Sequence, residues 1–202
     1  MPFSKGENPH HPGPGSCIIV EPIRQKSAIK RIKKLLEDNP RDYCIFVTGI
    51  NTAYRAKELL SLKVGQVRDL APGDTINVKT KTKKYRRVAL NSTVIEAVQN
   101  LLKTKKFNDD DYLFQSQRGE NRPIGVDTLS SYVKSWCKNA GLKGNFASHT
   151  LRKTWGYWQR IENNTPIPIL MRAFGHATQQ QTLTYLCIQE QEINDIYMKL
   201  EL

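Results

Sequence analysis

The chain is poor in the features that mark exported, membrane-spanning or metal-built proteins. Its four cysteines, Cys17, Cys44, Cys137 and Cys187, are scattered and form no Cys-x-x-Cys pair. A structural zinc site needs clustered ligands and a disulfide framework needs a denser set, so neither is expected. The thiols read as small hydrophobes in a reducing, cytoplasmic compartment. No apolar run approaches the length that crosses a bilayer, and the N-terminus has no apolar signal core. No internal repeat is visible, and no linker follows residue 20. Acidic residues are in deficit as well, with 19 Asp plus Glu against 31 Lys plus Arg.

That deficit leaves a net charge of +12, which on a 202-residue chain favours a polyanionic partner, above all nucleic acid. The remaining composition, 39% hydrophobic and 25% charged, is that of a globular protein with one sizeable core. Residues 1–20 are the exception. Their Pro and Gly content holds neither helix nor central strand, so a disordered or loosely ordered lead is expected there.

From residue 21 onward the patterning is mostly helical. Ile29, Ile32, Leu35 and Leu36 make one stripe of a helix begun by Ser27, with Lys30, Arg31, Lys33 and Lys34 on the other face. The apolar run Tyr43–Val47 reads as helix, as does Arg55–Leu62. The middle of the chain changes to strand-like content at Val67–Leu70, Thr75–Val78 and Arg86–Leu90, with Ala71-Pro72-Gly73-Asp74 as a turn. Lys79-Thr80-Lys81-Thr82-Lys83-Lys84-Tyr85 forms a basic hairpin tip. Helix returns at Ser92–Lys103, with Thr93 and Glu96 at capping-box spacing. A well-patterned helix follows, capped by Asp127, with Leu129, Tyr132, Val133, Trp136 and Cys137 inward and Gly141 at its end. Leu151, Trp155 and Trp158 give the buried face of another helix. Thr165-Pro166 opens the next and Gly175 closes it. Ile193, Ile196, Tyr197 and Leu200 stripe a terminal helix. The fold class expected is α+β, mostly helical with a small antiparallel three-stranded sheet.

The chemistry-bearing residues gather late. His149-x-x-Arg152 puts an imidazole and a guanidinium on one helix face, where both reach a single bound group. Gly175-His176 follows a helix end, and Tyr185 comes after it. A phenol has a pKa of about 10 and attacks only with help from nearby positive charge or a base. Arg is permanently cationic and grips phosphate oxygens bidentately, which Lys does not. Upstream lie Arg55, one turn from Glu58, and Lys81 on the basic hairpin. No carboxylate cluster suited to Mg²⁺ accompanies this set.

In this order and spacing, Arg55, Lys81, His149-x-x-Arg152, Gly175-His176 and Tyr185 resemble the catalytic domain of the tyrosine recombinases, the phage-integrase family. The resemblance covers nearly the whole chain from about Pro22. It implies a DNA breaking-and-rejoining enzyme that acts at specific sites on double-stranded DNA without metal, ATP or other cofactor. Tyr185 would be the nucleophile, leaving a 3′-phosphotyrosine and a free 5′-hydroxyl. Arg55 and Arg152 would hold the non-bridging oxygens, His149 accept the Tyr185 proton, His176 donate to a phosphate oxygen, and Lys81 protonate the leaving oxygen. Glu58 would hold Arg55 from behind. Lys79, Lys83, Lys84, Arg86 and Arg87 are expected to track DNA phosphates.

One departure is local: Ile50-Asn51-Thr52-Ala53-Tyr54 intervenes between Thr48-Gly49 and Arg55, where the family's Arg often follows Thr-Gly almost directly. Another is the expected domain plan, a catalytic domain over residues 21–202 with no separate N-terminal core-binding domain. Self-association on DNA through the terminal helix is a further expectation, set against packing of that stripe on the chain's own core. Alternative readings are a type IB topoisomerase-like nicking and resealing activity, and a DNA-binding module without turnover.

Overall fold

In the computed structural model, described over residues 19–79, 85–117, 121–188 and 190–199, a helical body carries one β-hairpin. Helix α1 (Lys26–Leu35) begins after Gln25 rather than at Ser27, and α2 (Pro40–Asn51) starts on Pro40 at its first position. There the missing N–H costs nothing, and Asn39 caps by accepting from the Asp42 N–H. The run from Cys44 to Gly49 is buried at every residue. α2 is therefore the central helix, which explains why its sequence lacks a polar face.

The short helix α3 (Ala56–Leu60) follows, then a 3₁₀ turn, Val64–Gln66. That turn corrects the three-stranded sheet. Over Val67–Leu70, expected as a strand, Arg68 N–H bonds to Val64 O at 2.9 Å and Leu70 N–H to Val67 O. Val64 and Val67 are both buried at helical spacing. Among the described residues the sheet has two strands, β1 (Thr75–Lys79) and β2 (Tyr85–Ala89), antiparallel, with Ile76 opposite Val88 and Val78 opposite Arg86. Ile76 and Val78 are buried, so this face lies on the body.

Next come α4 (Ser92–Leu102), capped by Asn91 rather than through Thr93, and α5 (Val126–Asn139), which follows Gly125 with Asp127 in its first turn. Leu129, Val133, Trp136 and Cys137 of α5 are buried as their spacing foretold, and Trp136 meets Phe46 of α2 edge-on. The chain closes with α6 (Ser148–Ile161), α7 (Ile167–Phe174), α8 (Gln179–Leu186) and α9 (Glu190–Lys199).

α2 packs against α4 and α6. The crossing with α6 is close because of Gly49: a Cβ there would stand 2.6 Å from Leu151 Cδ1. Close approach brings the N-terminal half of α6, which carries His149 and Arg152, against the loop that leaves α2 toward Arg55. A second, smaller core of Ala53, Leu170, Phe174 and Leu186, with Trp155 and Tyr185 against it, lies beneath that junction. No helix among the described residues is long and apolar enough to cross a membrane. On α9, Tyr197 is 77% exposed, and Ile193 and Ile196 are exposed too.

Candidate active site

Arg55 is placed by helix capping. It stands at the N-cap of α3 in extended conformation, and Glu58, three residues on, accepts its backbone N–H at 2.7 Å. The same carboxylate accepts Arg55 Nη1 at 2.8 Å. A negative side chain in the first turn of a helix is favourable in itself. One Glu thus both starts the helix and aims the guanidinium. Arg55 Nη2 reaches across to the carbonyls of Phe174 (3.1 Å) and Gly175 (3.3 Å).

Those carbonyls end α7. Gly175 takes φ +60°, a left-handed value that favours glycine, and donates to Arg172 O; His176 N–H donates to Met171 O at 3.0 Å. The remaining terminal carbonyls collect arginines: Ala173 O accepts Arg86 Nη1 at 2.6 Å, and Phe174 O accepts Arg152 Nη2 as well as Arg55. Cations at a helix C-terminus answer both its unpaired carbonyls and its dipole. Arg152, 2% exposed, also donates Nη1 to Ala53 O. Burial pulls its pKa down to about 10, with Arg55 and Arg86 adding repulsion, yet it stays a cation at neutral pH.

The turn after α7 delivers His176, whose ring stacks on Phe174 with centroids 5.0 Å apart. Its Nδ1 lies 3.0 Å from the buried Thr182 hydroxyl. Burial, then Arg152 and Arg55, lower its pKa to about 4, so the ring is neutral at pH 7. If Nδ1 accepts the Thr182 proton, the ring N–H is on Nε2 and available as a donor.

Tyr185, near the end of α8, packs on Phe174 at 5.2 Å and places its hydroxyl 2.8 Å from His149 Nδ1. Phe174 is seated by Gly156 of α6, where a Cβ would come within 2.3 Å of its Cζ. The Arg152 guanidinium lies 5.7 Å from the Tyr185 ring centre and the Lys153 ammonium 5.0 Å. Burial raises the phenol's pKa, and the attraction of Arg152 offsets that only in part. His149 keeps an exposed edge. Even so, desolvation of its inner side lowers its pKa below 6.5, with Arg152, Lys153 and Arg55 contributing. The pair at neutral pH is therefore a protonated phenol beside a neutral imidazole, the arrangement in which the imidazole accepts the proton.

Arg55, Glu58, His149, Arg152, His176 and Tyr185 thus come together in one cluster, with His149 exposed and Arg152 buried. Lys81, Lys83 and Lys84 lie outside the described residues, and Lys79 closes β1. Arg87 is exposed, with its guanidinium on Thr75 Oγ1. Arg86, expected to face DNA, turns inward with a side chain 10% exposed. Sequence reasoning passed over Phe174, Gly156, Lys153 and Thr182. Lys153 adjoins Arg152 and Phe174 adjoins Gly175, but nothing in their one-dimensional setting separates such support from ordinary core.

The phage integrase family model matches residues 24–192. The chain is 33% identical over 183 residues to a probable integrase/recombinase YoeC of Bacillus subtilis (strain 168), across 89% of this chain and 96% of that one. It is 30% identical to a tyrosine recombinase of Pseudothermotoga lettingae across 84% of its own length and 58% of the relative's. Among solved structures it resembles XerA recombinase, with a TM-score of 0.73 at 24% identity, covering 92% of this chain and 68% of the other. The catalytic domain of bacteriophage HP1 integrase superposes with a TM-score of 0.56 at 18% identity, over 90% and 95% of the two chains.

Proposed function

Because the chain belongs to the phage integrase family, the tyrosine-type site-specific DNA recombinases, we propose that it breaks and rejoins DNA through a covalent bond to Tyr185. The observation that carries this reading is the 2.8 Å contact between the Tyr185 hydroxyl and His149 Nδ1 beside the Arg152 guanidinium. Tyr185 Oη attacks the scissile phosphorus as its proton passes to His149. The bond from phosphorus to the 5′ oxygen breaks, leaving a 3′-phosphotyrosine, and that oxygen takes a proton from Lys81, the role the family resemblance implies. Arg55 and Arg152 neutralise the charge that builds on the non-bridging oxygens, and His176 Nε2–H donates to one of them. Attack by a 5′-hydroxyl of another strand reverses each transfer and reseals the DNA. The bond energy is kept in the phosphotyrosine, so neither ATP nor a metal is called for.

The test is covalent trapping. A library of random-sequence duplexes, each carrying a nick at one fixed place so that the short product of cleavage beside it diffuses away, is incubated with the protein in EDTA. An adduct that resists denaturant is expected; binding without any adduct would favour a DNA-binding module.

The His149 geometry sets a pH dependence. A base with a lowered pKa is neutral, hence competent, at pH 7 and loses competence as pH falls through that pKa. Single-turnover cleavage is expected to be flat near neutrality and to decline only below pH ~6.5, the unperturbed imidazole value. A decline centred above it would remove His149 as the base.

α9 supports self-association. It is joined to α6 by the Arg160–Glu192 ion pair, yet Ile193, Ile196, Tyr197 and Met198 stay exposed. That apolar surface suits docking on a neighbouring copy bound to the same DNA. Removing residues 190–202 is expected to leave DNA binding by single copies and abolish higher assemblies on gel shift; unchanged assembly rules the role out.

A further inference from the structure

Arg86 stands one residue into β2, opposite Val78, on the face that carries Val88. The alternation of a strand puts these two side chains toward the body. Its guanidinium donates Nη2 to Glu58 Oε2 at 2.8 Å and Nη1 to Ala173 O at 2.6 Å. Glu58 is equally enclosed, with 10% of its side chain exposed, and its two oxygens are divided. Oε1 takes Arg55 Nη1, while Oε2 takes the Arg55 backbone N–H and Arg86. An enclosed guanidinium is tolerated only when it is paired, and this one is paired to the group that aims Arg55.

We propose that Arg86 is a positioning residue for Arg55, holding that guanidinium and the end of α7 at one spacing by sharing Glu58 and clamping Ala173. The inference rests on the reading of Arg55 as a phosphate-gripping residue. With Arg86 in place, Arg55 engages Glu58 through a single oxygen with its side chain, and Nη2 stays on the Phe174 and Gly175 carbonyls. Without Arg86, Oε2 loses its side-chain donor, and Glu58 takes Arg55 through both oxygens, the preferred fork-on-fork geometry. That draws the guanidinium away from the α7 end. Ala173 O loses its donor in the same step, which loosens the turn leading to His176. The defect falls on the transition state, where Arg55 acts, while DNA affinity rests on exposed cations that Arg86 does not join.

The experiment compares wild type, Arg86→Ala and Arg86→Lys on a nicked duplex selected by covalent trapping. Single-turnover cleavage at saturating DNA and DNA affinity at two salt concentrations are both read. The same duplex is also made with an uncharged methylphosphonate at the scissile position. Arg86→Ala is expected to cleave ~10-fold or more slowly, less than the loss on removing a direct oxyanion donor, with affinity and its salt dependence within about twofold of wild type. Arg86→Lys, which keeps the charge beside Glu58 but cannot hold Ala173 as well, falls between them. On the methylphosphonate, where the charge that Arg55 neutralises is absent, the deficit shrinks. A deficit equal on both substrates would mean general structural damage and would overturn the proposal. So would weaker, less salt-dependent binding with an unchanged saturated rate, the signature of a phosphate contact. If Arg86→Ala fails to fold, Arg86→Lys alone decides between these outcomes. Failure of the function reading is distinct: wild type then makes no adduct at all.

Discussion

Tyr185→Phe protein is expected to form no covalent adduct with DNA while keeping its fold and its DNA affinity. The substitution removes one oxygen and leaves the ring, so the contacts with Phe174, His149 and His176 persist. The lost hydrogen bond to His149 costs stability of only about 1 kcal/mol. The chemical loss is complete, because the removed oxygen is the one that attacks phosphorus and the one held 2.8 Å from the base. Denaturing gels of protein incubated with the nicked duplex read the outcome directly. Tyr197→Phe is the matching control: Tyr197 lies on α9, 77% exposed, and its substitution leaves the adduct intact. An adduct that survives Tyr185→Phe would sink the nucleophile assignment.

Arg152→Ala is expected to slow cleavage by ~10²-fold or more, by comparison with removal of a preorganised oxyanion donor. Two effects combine. The variant loses a cation that remains protonated at neutral pH with a pKa of about 10. It also leaves the carbonyls of Ala53 and Phe174, where Arg152 bonds in a buried setting, without that donor. Each buried group left unpaired costs roughly 1–3 kcal/mol, so thermal stability drops as well. Phe174 O retains Arg55, which limits the damage on that side. Arg152→Lys separates the two effects. An ammonium restores charge but cannot span both carbonyls and a phosphate in one plane, so most of the rate loss remains while part of the stability returns. A loss of under threefold in Arg152→Ala would make the His149-x-x-Arg152 pair structural.

Both variants probe groups that were legible in sequence, and the reason differs from residue to residue. His149 and Arg152 stand three apart on one helix, and Tyr185, on another helix, is legible because it follows Gly175-His176 in the order that the family resemblance implies. Arg86 could have been placed by the same means. β2 alternates, and Arg86 shares its parity with Val88, which packs on the core. Its setting among lysines points toward DNA instead, and an ion pair to Glu58 across 28 positions of sequence leaves no periodic trace. The strand expected at Val67–Leu70 failed for a related reason. β-branched residues three apart serve a helical turn as well as a strand, and the contacts of Val64 and Val67 with the body decided between them.

Which reactive groups exist, their order, and most of the helices and the hairpin that present them are legible in the chain itself, because helix and strand periods are local properties. How those groups are tuned is set by the packing of the folded chain. The end of α7 became a shared anchor for Arg55, Arg86 and Arg152 because unpaired terminal carbonyls in an enclosed setting demand donors from elements remote in sequence. Burial of the His149 and His176 rings, reinforced by Arg152 and Arg55 of that anchor, lowers both pKa values, a condition no single segment creates.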